Sequence, residues 1–174
     1  MPTYLDSVLL TLQAEFSDLL DPAQVTRVVV RLLVALALGA AIGWDRERRD
    51  ADAGLRTHML VALGAALFVL VPAEAGMEPD ELSRVIQGVV SGIGFLGAGA
   101  VLKDRDEGRI HGLTTAGSIW ATAAVGVAAG LGRESTAILA TVCVLIVLAA
   151  LRRLGRRIRR EGSDDGEDVG PRQS

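Results

Sequence analysis

The chain has 174 residues, half of them hydrophobic, with 20 glycines, 3% aromatics and a net charge of −3. An ordinary soluble domain is excluded by where the charge lies, because nearly all of it falls outside five stretches that are apolar all round rather than on one face. One cysteine and two distant histidines offer neither an internal disulfide nor a zinc-ligand spacing.

In residues 1–27, Leu5, Val8, Leu9, Leu12, Phe16, Leu19 and Leu20 recur at helical spacing, with Asp6, Glu15, Asp18 and Asp21 between them. The pattern predicts an amphipathic helix of about five turns that ends before Pro22. It lacks the positive start and long apolar core of a signal peptide. Its acidic face disfavours anionic lipid, so it is expected to lie along the membrane surface or on the bundle, with docking to a partner as the sharper alternative.

The apolar stretches are Val28–Trp44, Thr57–Val71, Val85–Leu102, Leu113–Leu131 and Thr136–Leu151. A membrane-spanning helix needs about 20 residues, which the second and fifth fall short of by composition alone. Arg31 interrupts the first; it either snorkels to the interface or pairs with a carboxylate such as Glu134 or Asp21. Cys143 reads as a small apolar residue of the core.

Loop charge argues that all five stretches cross. Arg46, Arg48, Arg49 and Arg56 mark the first loop, and Lys103, Arg105 and Arg109 the third. The second loop has Arg84 among four acids, and the fourth has only Arg133. Lys and Arg collect on the cytoplasmic side. The expectation is an all-α, polytopic membrane bundle of about five helices over residues 28–151, N-terminus outside and C-terminus cytoplasmic. In residues 152–174, the run Arg152–Arg160 forms a basic patch suited to anionic lipid, with no nucleic-acid partner expected. Glu161–Ser174 is Gly- and Asp-rich without periodicity and reads as disordered.

Glycines recur four apart: Gly39 with Gly43, Gly88 with Gly92, and Gly126 with Gly130. Such pairs let two helix backbones approach closely in lipid. Segment three adds Gly94, Gly97 and Gly99 and is small on two faces, which predicts a central helix packed on both sides. The same run is the place for a break or kink, the alternative reading, since glycine weakens a helix by about 1 kcal/mol against alanine.

Polar residues gather where segments one and three end and two and four begin. Asp45, Arg46, Glu47, Arg56, Thr57, His58, Asp104, Thr114, Thr115 and Ser118 form a candidate cytoplasmic-face site. Two helix N-termini there favour anions, with Thr57 and Thr114 or Thr115 as caps. Asp45 and Glu47 offer the hard oxygens that Mg²⁺ prefers, while the plainer reading pairs Asp45 with Arg48 or Arg49. No metal site is assigned. Thr115, Ser118 and Thr122 share one face, and these residues, with Gln87 and Ser91, are able to bond across helices. No Ser/His/Asp set, HExxH or P-loop occurs, so neither an enzyme nor a resident cofactor is expected.

Four blocks together resemble the MgtC/SapB family, including its YhiD-like members. They run from Arg31-Leu32-Leu33 through Gly39 and Gly43 to Asp45-Arg46-Glu47; then Ala53-Gly54-Leu55-Arg56-Thr57-His58 with Leu60-Val61-Ala62-Leu63-Gly64. Gln87-Gly88 with Ser91-Gly92-Ile93-Gly94-Phe95-Leu96-Gly97-Ala98-Gly99 follows, and then Gly112-Leu113-Thr114-Thr115-Ala116 with Ser118-Ile119-Trp120. The resemblance implies a bacterial inner-membrane bundle linked to magnesium limitation, regulatory rather than a proven carrier. It points to a non-enzymatic regulator acting by helix contacts with a membrane partner or itself, the alternative being a transporter or channel for Mg²⁺ or another small ion. Asp45 replaces the glutamate more usual in the family. Many members add a soluble domain after the bundle, whereas this sequence runs on into the basic patch and acidic tail.

Overall fold

The computed structural model describes residues 4–15, 21–103 and 110–164, with side chains as far as residue 150 except at 102, 103 and 110. The elements run α1 (Tyr4–Glu15), α2 (Pro22–Glu47), α3 (Leu55–Glu74), α4 (Pro79–Ala100), β1 (Leu102–Lys103), β2 (Ile110–His111), α5 (Leu113–Gly130) and α6 (Glu134–Asp164). This is an all-helical membrane bundle. α2, α3, α4 and α5 are each long and apolar enough to cross a bilayer, and α6 contributes a shorter apolar stretch, Glu134–Ala150.

Local chemistry sets the helix starts earlier than apolar runs alone suggest. Asp21 accepts from the Ala23 amide, and Pro22 opens the first turn, where a missing N–H costs nothing. α2 therefore begins before Val28. Pro79 likewise opens α4 well before Val85. α3 runs from Leu55 to Glu74, long enough to span, because its proline, Pro72, falls only two residues before its end. α1 buries none of its residues, so it is not packed onto the bundle.

α3 forms the axis of the packing, with α2 on one side and α5 on the other. The small residue Ala62 makes this close approach workable. A Cβ on Gly39 of α2 would lie 2.8 Å from the Ala62 Cβ, and one on Gly126 of α5 would lie 2.3 Å from the Ala62 carbonyl oxygen. Gly43 sits equally tight against Leu55, and Gly130 against Ala66. Around this seam Ala35, Ile42, Ala62, Ala66, Val125 and Ala129 form a sealed core that Ala137 of α6 completes. Backbones this close gain dispersion contacts that bulkier side chains would block.

Three expectations fail here. α4 is not central: only Ile93 and Gly97 are buried in it, whereas α5 buries nine residues. Space is open around Gly88, Gly92, Gly94 and Gly99, and Gly97 alone touches a neighbour, Ala116 at 3.7 Å. α4 is also unbroken through its glycine run. Cys143 is exposed on α6 rather than in the core.

Two two-residue strands between α4 and α5 pair antiparallel, Leu102 opposite His111 and Lys103 opposite Ile110. At the turn into α5, Gly112 has φ +86°, and a Cβ there would fall 1.9 Å from the Ala100 carbonyl oxygen. Only glycine fits a position that is both left-handed and in contact with backbone. α6 continues to Asp164, past the end of its apolar run. The expectation for residues 165–174 and for the side chains of Arg152–Arg160 lies outside the described residues.

Candidate functional site

The α2–α3 turn and the α4–α5 connection meet at one end of the bundle. Arg46, in the last turn of α2, is 8% exposed. Its Nη2 donates to Thr115 Oγ1 at 3.3 Å, in the first turn of α5. His58 of α3 is fully buried between α2 and α5. Its Nδ1 lies 2.8 Å from the Gly54 carbonyl oxygen, which only accepts, so that nitrogen carries the proton. Its Nε2 lies 3.1 Å from Ser118 Oγ. Ser118 has a single hydroxyl proton and also reaches the Thr115 carbonyl at 2.9 Å. Thr122 continues the same buried face, bonding back to Ser118 O at 2.8 Å. A polar thread thus runs from the end of α2 across α5 and into α3, surrounded by alanine and glycine.

The acidic candidates are already engaged. Arg49 holds Asp45 in an i,i+4 pair, donates from Nε to the Asp45 carbonyl at 3.0 Å, and reaches the Leu148 carbonyl of α6 at 3.3 Å. The second Asp45 oxygen, Oδ2, is buried without a partner. Glu47 Oε2 accepts from the Leu55 amide at 2.8 Å, closing the start of α3 with the chain's own carboxylate. Arg48 stacks over Trp44, 4.9 Å from the ring centre, a cation–π contact at an exposed tryptophan.

Several assignments change. Thr57 does not cap α3, whose N-cap is Gly54, and neither Thr114 nor Thr115 caps α5, whose N-cap is Gly112; neither glycine has a side chain to give. Thr115 is turned inward to Arg46 instead. Arg56 and Thr57 are exposed and take no part in the cluster. Gln87 and Ser91 stand exposed on α4 without bonding another helix. Asp104 lies outside the described residues. Among those residues, no group of three His, Cys, Asp or Glu side chains converges as a metal site would require.

At the opposite end, Arg31 pairs with neither Glu134 nor Asp21. Its Nη1 donates to Glu74 Oε1 at 3.0 Å and to the Gly130 carbonyl at 3.4 Å, while Arg27 stands 3.9 Å from the other Glu74 oxygen. The signal for this was available: Glu74 is the first acid after segment two, at the end of the bundle where segment one begins. The apolar run of segment two ends at Val71, but α3 itself continues to Glu74 and carries the carboxylate on its last turn.

The first end carries a second feature. A cleft of about 570 Å³ opens beside the start of α5, lined by Arg46, Arg49, Asp52, His111, Thr114 and Thr115 among others. Arg46, Thr114 and Thr115 come from helix-end turns whose polar residues the sequence already gathers at this face, whereas Ala51, Asp52 and His111 come from connecting positions that no apolar periodicity marks.

Spanning helices, a sealed small-residue seam and a buried polar thread at one end define a helical integral membrane protein. Within that class the chain belongs to the MgtC family, whose profile matches residues 32–157. It is 44% identical over 137 residues to Protein SrpB of Synechococcus elongatus, covering 72% of this chain and 75% of that one. It is 42% identical over 132 residues to Protein MgtC of Salmonella typhimurium, covering 76% of this chain and 55% of the relative. It is 39% identical over 140 residues to the Escherichia coli protein named "Putative magnesium transporter YhiD", covering 75% and 63%. The chain thus spans little more than half the length of the Salmonella relative. No solved structure matches it significantly.

Proposed function

We propose that this chain is a multi-pass protein of the bacterial inner membrane that serves magnesium homeostasis as a non-enzymatic regulator, acting through contacts between transmembrane helices. The magnesium link rests on the family. The observation that carries the regulatory reading is the contrast between a closed interior and a bare α4. The seam of α2, α3 and α5 is packed tightly against α3 at Gly39, Gly126 and Gly130, where an added Cβ would strike Ala62 or Ala66. Asp45 and Glu47 are turned to Arg49 and to the start of α3, and Arg46 beside them opposes a divalent cation.

α4 offers what a helix partner uses. Gly88 and Gly92 lie open beside Gly64 of α3, in an apolar groove of about 620 Å³ walled by Leu60, Phe68 and Leu96. Small residues four apart, flanked by bulky apolar ones, suit another transmembrane helix, from a partner protein or a second copy. In this reading the arginine-bearing loops face the cytoplasm and the N-terminus lies outside.

The carrier reading is the second, favoured by the wide polar cleft at the Arg46 end and by the name of the YhiD relative. Reconstituted full-length protein in liposomes separates the two. The regulatory reading expects no protein-dependent Mg²⁺ flux, together with a membrane complex, trapped by cysteine crosslinking along α4 after replacement of Cys143, that Gly92→Leu dissolves. A saturable flux lost in Asp45→Asn overturns it.

A further inference from the structure

We infer that the cleft at the start of α5 is a binding site for a phosphate-type anion, held by the Arg46 guanidinium together with the free amides of the first turn of α5. The inference stands apart from the regulatory reading and survives its failure.

The first turn of α5 presents the amides of Leu113, Thr114 and Thr115. Among the described residues, the earliest amide of this helix to find a backbone acceptor is that of Ala116, which bonds to Gly112 O. Gly112 supplies no capping side chain and cannot be exchanged for a residue that would, since a Cβ there strikes the Ala100 carbonyl. Free amides at the positive end of an 18-residue helix attract an anion.

A second, independent observation points the same way. Arg46 is 8% exposed, yet its Nε has no hydrogen-bond partner. Among the described residues no carboxylate comes within ion-pair distance of it. Its Nη2 rests on Thr115, so the guanidinium lies against the same helical turn and lines the same cleft. The carboxylates that act on it, Asp45 and Asp52, do so from beyond that distance, Asp45 being held by Arg49 and Asp52 exposed at the rim, so the buried guanidinium is poorly compensated until an anion joins it. A fork of N–H donors beside a row of backbone amides matches tetrahedral oxygens better than a spherical halide. Arg49 at the wall is committed to Asp45. His111 and Asp52 are exposed at the rim, and Asp52 disfavours an anion seated on its side, so the site lies toward α5. Two sources share this chemistry: a free phosphate ester or inorganic phosphate, and a phospholipid headgroup reached from the neighbouring leaflet.

The test uses the full chain in a phosphate-free, non-ionic detergent. Thermal unfolding is followed against inorganic phosphate and against short-chain phosphatidic acid, each compared with chloride at equal ionic strength. A saturable rise in Tm with inorganic phosphate assigns a free anion, and a rise with the phosphatidic acid alone assigns a headgroup. In either case Arg46→Gln weakens apparent affinity about tenfold or more, the loss of a charge-assisted bond. Because Arg46→Gln risks misfolding, the exposed variant Thr114→Glu provides the second arm. Its tethered carboxylate occupies the helix end, and the Tm response to both probes disappears while the fold is kept. No response to either probe in the unmodified chain, or an undiminished response in Thr114→Glu, overturns the site.

Discussion

α4 and α5 carry the same glycine spacing and put it to opposite use. Gly126 and Gly130 of α5 are pressed onto the Ala62 and Ala66 carbonyls of α3, whereas Gly88 and Gly92 of α4 touch nothing. In water the difference would be legible, because an apolar face left open exposes itself to solvent and is selected against. In a bilayer the lipid tail is as apolar as leucine, so a bare glycine face and a packed one have similar solvation. Small-residue spacing therefore announces the capacity for close approach and not its occurrence.

The largest expected effect breaks the packed side of that comparison. Gly126→Leu forces its first carbon to within 2.3 Å of backbone oxygen. Backbone, unlike a flexible side chain, has nowhere to go, so the cost is about 3 kcal/mol or more and monodisperse protein is lost in size-exclusion chromatography. Next comes the end of the seam. Glu74→Leu leaves Arg31, with 19% of its side chain exposed, facing only the Gly130 carbonyl. A loss of about 2 kcal/mol is expected, intermediate between exposed and buried pairs. Denaturant titration of the single and paired variants measures it, and Arg31→Leu in the same chain recovers part of it.

A smaller effect tests the polar face of α5. Ser118→Ala withdraws the hydroxyl beside the buried His58 Nε2 and lowers stability by about 1–2 kcal/mol. Gln87→Leu on α4, with no helix to bond, is neutral in the same assay. The smallest effect sharpens the comparison most. Gly92→Leu leaves monomer stability unchanged or raises it by up to about 1 kcal/mol, because leucine favours the helix and meets open space. A Gly92→Leu variant that unfolds as readily as Gly126→Leu would erase the distinction between the two helices.

Much of the site's composition was readable. The Asp45–Arg49 pair follows from i,i+4 spacing, and the meeting of Arg46 with Thr115 follows from counting which loops share an end. Its capping was not readable. Threonine looks like the better cap, yet Glu47, eight residues before Leu55, closes α3, and nothing among the side chains of α5 closes its first turn. A cap is chosen by the path of the turn that delivers it, and periodicity carries no record of that path. The route of Arg49 to the Leu148 carbonyl joins residues 99 apart and was equally hidden.

The sequence by itself determined the solvent of this protein, the approximate placing of its apolar helices, the family, and the gathering of charge at helix ends; of the five expected crossings, four helices are long and apolar enough to span and α6 carries a shorter apolar stretch. These follow from hydrophobic length and charge segregation, which act locally along the chain. Only the tertiary structure decided that α3 is the axis and α4 the flank, that Glu74 answers Arg31, and that Arg46 is buried beside an open helix end. Those outcomes depend on which small faces meet. In lipid that choice is set by shape and hydrogen bonding between distant segments, and the hydrophobic pattern is silent on both.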